Sequence, residues 1–227
     1  MNGAGARGAT TFEMYERWAP VYSPAPHNAL MRAEQRAMCE LLPDVAGMRA
    51  LDLACGTGRY ARLLLQSSAG DVVAADFSPA MLRNSVGGYP VRASLTRLPF
   101  AAGAFDLVVS GLALGHAEDL RQCFSEIARV LQPRGVLLYS DFHFDAARAG
   151  QVRSFRDASG RRLELPVDGY PPQMHRDAAL EAGLEVDVFR ELRAGIELDE
   201  SFAGSEEFYR RWAGTPIVLV VRARRAR

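Results

Sequence analysis

Four short, continuously apolar runs constrain this chain most: 48–55 (MRALDLAC), 71–76 (DVVAAD), 104–111 (AFDLVVSG) and 135–142 (GVLLYSDF). Runs that are apolar on both faces fit strands buried inside a parallel sheet. Helix-like spacing fills the gaps at 59–66, 79–84 and 120–131, the last closed by Pro133 with Gly135 beyond it. Strand and helix alternate, which predicts βαβ crossovers and a doubly wound α/β sheet. Ahead of this pattern, 11–43 reads as two helical pieces broken by Pro20, Pro24 and Pro26, each of which fixes φ and removes a donor. Residues 1–43 are therefore expected to be a flexible start and an N-terminal helical cap, and 44–227 the main domain. Residues 144–174 are rich in Arg, Gly and Pro, with a hairpin expected around Asp157 to Gly160. We read them as a lid-like insertion. A helix over 176–182, stopped by Gly183, and strands over 184–192 and 216–221 complete the pattern.

With 227 residues and 48% hydrophobic content, the chain suits one compact domain with a cap. Its 27 basic and 27 acidic side chains balance, so it lacks the positive field that drives non-specific phosphate-backbone binding. All the basic residues are Arg and none is Lys. Cys39, Cys55 and Cys123 are odd in number and widely spaced, which gives neither a disulfide framework nor a metal site. No apolar run approaches the roughly 20 residues that span a bilayer. A cytoplasmic protein is expected, with no metal and with neither nucleic acid nor membrane as partner. Oligomeric state is not legible.

The strongest local signal is LDLACGTGRYA at 51–61, a buried strand running into a glycine-rich turn and then a helix. Gly56 and Gly58 allow a sharp bend and close approach to a ligand, and the free N–H groups of the helix start point into the same space. Asp76 closes the next strand twenty positions after Gly56, where an open α/β sheet places an acid that hydrogen-bonds ribose hydroxyls. Phe77 and Met81 follow it and could edge an adenine ring or simply pack under a helix.

Two nucleotide cofactors fit. GTGRYA formally matches the dinucleotide pattern G-x-G-x-x-A, so an NAD(P)-dependent oxidoreductase is one reading. Against it, Asp52 would repel a pyrophosphate but suit a ligand bearing an ammonium and a sulfonium. About fifty residues also precede the loop, and a second mononucleotide half has no room. A binding protein that holds the cofactor without turnover is a third reading. His116, His143 and His175 follow strands or precede a helix and are the candidate bases. His143, two residues after Asp141, is expected on the same face as that carboxylate.

LDLACGTG, VVAADFSPAML, LPFAAGAFDLVVSGLALGHAEDL and FSEIARVLQPRGVLLYSD, in that order, resemble the successive motifs of class I S-adenosylmethionine-dependent methyltransferases, in particular the group with ubiquinone/menaquinone C-methyltransferases and malonyl-carrier-protein O-methyltransferases. The resemblance covers about 12–142 and continues more weakly to the last strand. It implies a Rossmann-like seven-stranded sheet with an antiparallel last strand and S-adenosyl-L-methionine as cofactor. The acceptor it implies is a small-molecule or carrier-bound oxygen or carbon. Carried over residue by residue, Asp52, Gly56 and Gly58 hold the methionine moiety, Asp76 the ribose, and Phe77 and Met81 the adenine, with Ala54 also among the cofactor-binding residues. Gly111, Tyr15 and Tyr22 complete the cofactor site, the two tyrosines within an aromatic cap segment, YERWAPVY. Ser94, followed by Leu95, stands where many relatives have an Asp that contacts the adenine amino group. Arg134 replaces the first glycine of a P-G-G turn. His143 and His116 are the candidate catalytic residues, needed only where the acceptor must lose a proton.

Overall fold

The computed structural model describes residues 10–166, 169–195 and 211–227. The expected flexible start thus falls almost entirely outside the described residues. Thr10 opens helix α1 (Thr11–Trp18) with a reciprocal capping box to Glu13, and Asn28 caps α2 (Ala29–Leu41). A single 3₁₀ turn containing Pro20 follows α1. The core then alternates β1 (Arg49–Leu53), α3 (Arg59–Gln66), β2 (Asp71–Asp76), α4 (Pro79–Arg83), β3 (Tyr89–Arg92), β4 (Phe105–Gly111), α5 (Leu120–Val130) and β5 (Leu131–Phe142). After it come α6 (Phe144–Arg148), the hairpin β6 (Val152–Arg156) and β7 (Arg162–Pro166), α7 (Pro172–Glu181), β8 (Leu184–Arg193) and β9 (Pro216–Arg225).

Seven strands form one sheet in the order β3-β2-β1-β4-β5-β9-β8, parallel except that β9 runs antiparallel to both neighbours. Strand alternation sends Leu138 and Phe142 to one face, with α2, α3 and α6, and Leu137 and Tyr139 to the other, with α5. β3 has no counterpart among the strands read from hydropathy. It is four residues long, mostly exposed and contains Pro90, features of an edge strand. Nor does Pro133 simply stop a helix: β5 begins at Leu131, and its pairing with β4 shifts register there, with Arg134 at φ +66°. That conformation is one a glycine adopts without strain.

Residues 144–166 of the insertion form more regular structure than their composition suggests. Ala146 of α6 is fully buried in the sheet core, and β6 pairs with β7 from Val152–Pro166 to Arg156–Arg162. Hairpin and cap then meet in a third apolar cluster, where Trp18 stacks on Phe155 with ring centroids 4.4 Å apart, alongside Met14, Met81 and Leu165. Arg222 and Arg224 of the basic terminal segment bridge to Asp187 of β8. Among the described residues no helix is long and apolar enough to cross a membrane, and no cluster of side chains could hold a metal ion.

Candidate active site

The strand order reverses between β1 and β4, and in open α/β sheets the crevice outside the carboxyl ends at such a point receives ligands. A cavity of about 480 Å³ lies there, within the range of small-molecule sites. The end of β1 supplies Asp52, Ala54, Cys55 and Gly56, the end of β2 Asp76 and Phe77, and the end of β4 Gly111 and Leu112. Met81, Ser94, Leu95, Tyr15, Tyr22, His116 and Arg153 also line it, with the Tyr15 ring 6.0 Å from that of Phe77 and Tyr22 beside Gly56. Ala54 and Leu112, the first residues past β1 and β4, both hold left-handed backbone, φ +55° and +58°. Such strain costs about 1–2 kcal/mol per residue and collects at ligand-facing turns.

Asp76 is buried, and its carboxylate accepts the Gly56 N–H at 2.8 Å and the Ser78 N–H at 2.9 Å. Burial raises its pKa, against the pull of these backbone donors. The Phe77 amide donates to it as well, and a carboxylate's roughly four lone-pair sites still leave room for a ligand hydroxyl. Asp52 accepts the Ala61 N–H at 2.7 Å, so it ties down the first turn of α3 while facing the cavity. Burial pushes its carboxyl up to about 7, a cost that a neighbouring cation would relieve. The Ser94 hydroxyl lies 3.2 Å from that of Thr96, which also lines the cavity. The buried Asp76 carboxylate, the apolar side chains of Phe77, Met81 and Leu95, and a second buried carboxylate, Asp52, share one cavity, a set of residues that fits S-adenosylmethionine.

Two predicted residues stand apart. Gly58 is absent from the cavity wall: at φ +83°, a Cβ there would meet Ser85 Oγ at 2.6 Å and the Val86 amide at 3.0 Å. Gly56, at φ +55°, would meet nothing nearer than Tyr22 at 3.8 Å. Gly58 thus serves the turn. Gly58→Val is expected to lower the melting temperature and cofactor affinity together, whereas Gly56→Ala should lower affinity more than stability. Melting curves paired with cofactor titrations of both variants decide this. His143 is the other. It caps α6 by accepting the Asp145 N–H at 3.2 Å, and its Nε2 lies 3.3 Å from Glu191 rather than against Asp141. It does not line the cavity.

His116 does line it, with its Nε2 3.1 Å from the Tyr15 hydroxyl, which in turn accepts from Arg153 at 2.7 Å. Burial, then Arg153, lowers the His116 pKa to about 4, and burial pushes the Tyr15 phenol up to about 12. Both are neutral at physiological pH. His175 instead stacks on Tyr139 of β5, with its Nε2 4.0 Å from Asp141 Oδ2, and neither atom has a hydrogen-bond partner among the described residues. Burial drives the two in opposite directions, Asp141 up to about 7 and His175 down to about 4. A carboxyl raised on folding stabilises least when ionised, so its contribution is lost as pH rises from the unfolded value towards 7. Asp141→Asn should therefore gain thermal stability over the parent progressively between about pH 4 and 7, and a constant gap across that window would refute the assignment.

One hub was missed in the sequence. Glu34 of α2 is fully buried and accepts from Arg59 at 2.6 Å, Tyr60 at 2.6 Å and Ser140 at 2.5 Å. It braces the start of α3, whose Arg59 and Tyr60 line the cavity. A side chain at Gly111 would overlap the Tyr60 ring, which explains the glycine. The signal was available: Glu34 falls among Leu30, Met31, Ala37, Met38 and Leu41, the apolar stripe of its helix.

Comparison with known proteins agrees with this geometry. A family model described as a methyltransferase domain matches residues 51–139. A demethylmenaquinone methyltransferase of Beutenbergia cavernae is 31% identical over 73% of this chain and 77% of its own length. A malonyl-acyl-carrier-protein O-methyltransferase of Dechloromonas aromatica is 39% identical over 78% of this chain and 66% of its own. The chain spans 53% to 66% of the length of the malonyl-carrier-protein methyltransferases it matches. In fold, an S-adenosylmethionine-dependent methyltransferase from Mesorhizobium loti superimposes with a TM-score of 0.67 at 24% identity, covering 85% of this chain and 98% of that one. Motif order, relatives and architecture coincide, and the chain belongs to the S-adenosylmethionine-dependent methyltransferases, with S-adenosylmethionine as its cofactor.

Proposed function

We propose that the protein methylates an oxygen or carbon of a small-molecule or carrier-bound acceptor. The observation that carries this is one cavity lined both by the Asp52 and Asp76 carboxylates at the strand ends and by the cap tyrosines Tyr15 and Tyr22. When bound, the cofactor supplies an electrophilic methyl group on a sulfonium. The chain's own work is alignment. Asp76 accepts from the ribose hydroxyls, Phe77 and Met81 flank the adenine, Ser94 and Thr96 meet its edge, and Asp52 faces the methionine end. Displacement at a methyl carbon needs donor and acceptor in line and water kept out, which can account for several kcal/mol of the barrier without a catalytic base. Trp18, stacked on Phe155, backs the lining residues Tyr22 and Arg153. Relatives named for malonyl-carrier protein and for demethylmenaquinone support an acceptor that is carrier-bound or small.

Calorimetric titration with S-adenosylmethionine, S-adenosylhomocysteine and NAD(P) tests the reading, followed by a screen for label moved from a methyl-labelled donor. Binding of the first two and not the third is expected. Binding of NAD(P) alone would defeat it.

A further inference from the structure

Two turns of the cavity wall meet on one side chain that lies behind it. Glu34 does not line the cavity, yet its Oε2 accepts from Arg59 at 2.6 Å and its Oε1 from Tyr60 at 2.6 Å and from Ser140 Oγ at 2.5 Å. Arg59 and Tyr60 open α3, directly after the glycine-rich turn that follows β1. Ser140 leads to the other turn. Fully buried in β5, it offers both its Oγ and its carbonyl oxygen to the Leu112 N–H, at 3.0 Å and 2.9 Å. Leu112 is the first residue past β4, lines the cavity and holds φ +58°. Left-handed backbone at such a residue persists only where its surroundings over-determine it, and the two Ser140 acceptors do so here.

Glu34 decides which way the Ser140 hydroxyl points. A hydroxyl has one proton and two lone pairs, and a carboxylate can only accept. The Ser140 proton is therefore committed to Glu34, and its lone pairs are left to face the Leu112 N–H. With the proton free, the hydroxyl could turn it towards that N–H, and one of the two acceptors would be lost. The same carboxylate holds Arg59, whose charge works against the burial that raises Asp52.

We propose that Glu34 is a positioning residue for the cofactor: through Ser140 it holds the turn at Leu112, and through Arg59 and Tyr60 the start of α3, in the arrangement that receives S-adenosylmethionine. This rests on the placement of the cofactor proposed above and is independent of the acceptor.

The test uses the full chain and reads two quantities, S-adenosylhomocysteine binding by calorimetry and backbone amide exchange. Glu34→Gln keeps the volume and one oxygen for Arg59 but turns an amide NH2 on the two hydroxyls. It should weaken S-adenosylhomocysteine about 5- to 30-fold, the cost of re-forming one left-handed residue on binding. Ser140→Ala should act in the same direction, and the double variant should bind within about twofold of the weaker single one, since both changes act along one route. In Glu34→Gln the Leu112 amide should exchange about fivefold faster relative to the Val109 amide of β4, whereas a merely structural role would speed the two together. Parental affinity in folded Glu34→Gln, additive losses in the double variant, or an unchanged ratio of Leu112 to Val109 exchange overturns the proposal. If Glu34→Gln fails to fold, Ser140→Ala decides by the same two readouts. Asp76→Asn is the control. Parental affinity in that variant would remove the cofactor from this cavity and the proposal with it; weakened binding there beside parental affinity in Glu34→Gln would remove only Glu34.

Discussion

Glu34→Ala is expected to destabilise the protein by about 3–5 kcal/mol, the cost of stranding a buried charge. Arg59 is 8% exposed and its partner carboxylate fully buried, so water cannot take over the lost contact. The Tyr60 and Ser140 hydroxyls lose their acceptor at the same time, at 2.6 Å and 2.5 Å in the parent. Urea unfolding should show a lower midpoint with an unchanged slope. Replacing both charges, as in Glu34→Leu with Arg59→Met, should recover much of the loss, since apolar residues of similar volume often substitute for a buried pair. A loss below about 1 kcal/mol in the single variant would mean that the carboxylate is not buried as described.

Asp76→Ala should weaken S-adenosylmethionine binding by about 1.5–3 kcal/mol, roughly 10- to 150-fold, because it removes charged hydrogen bonds to the ligand. Stability should fall as well, since the carboxylate is what receives the Gly56 and Ser78 amides. Asp76→Asn separates the effects. It keeps one acceptor for the turn and loses the charge, so it should melt closer to the parent than Asp76→Ala does while still binding the cofactor more weakly. A folded Asp76→Ala protein with parental affinity would remove this carboxylate from the site.

Sequence legibility followed burial. Strands apolar on both faces, β1, β2 and β4, were readable to within a residue or two at each end because nothing else satisfies such runs. β3 was not, because an exposed edge strand carries no such signature. In the site, backbone-driven features were legible: the turn after β1 and the acid after β2 follow from strand-to-helix geometry. The place of Gly58 in the turn, away from the cavity wall, was not legible, because a positive φ tells that a glycine is needed without telling whether ligand or neighbouring chain occupies the space. Glu34 and Arg153 lie 25 and 138 positions from the partners they meet at the cavity. Only the closed tertiary structure brings them together, although Glu34 stood on an apolar face where a charge was out of place.

The roof over the cavity also has a consequence for the order of folding. Its contacts join Tyr15 to Arg153 across 138 positions, and Trp18 to Phe155 over a similar span. Such a contact gains little until the intervening sheet has shortened the loop between its ends. Cap and hairpin therefore dock last onto a preformed sheet and form the unit that can detach without unfolding it. Opening the chamber breaks that aromatic cluster together with the Glu16 contacts to Ser78 and Ala80 and the Asn84 contact to Ala19, while the hydrogen bonds that hold β1, β2 and β4 in the sheet are untouched.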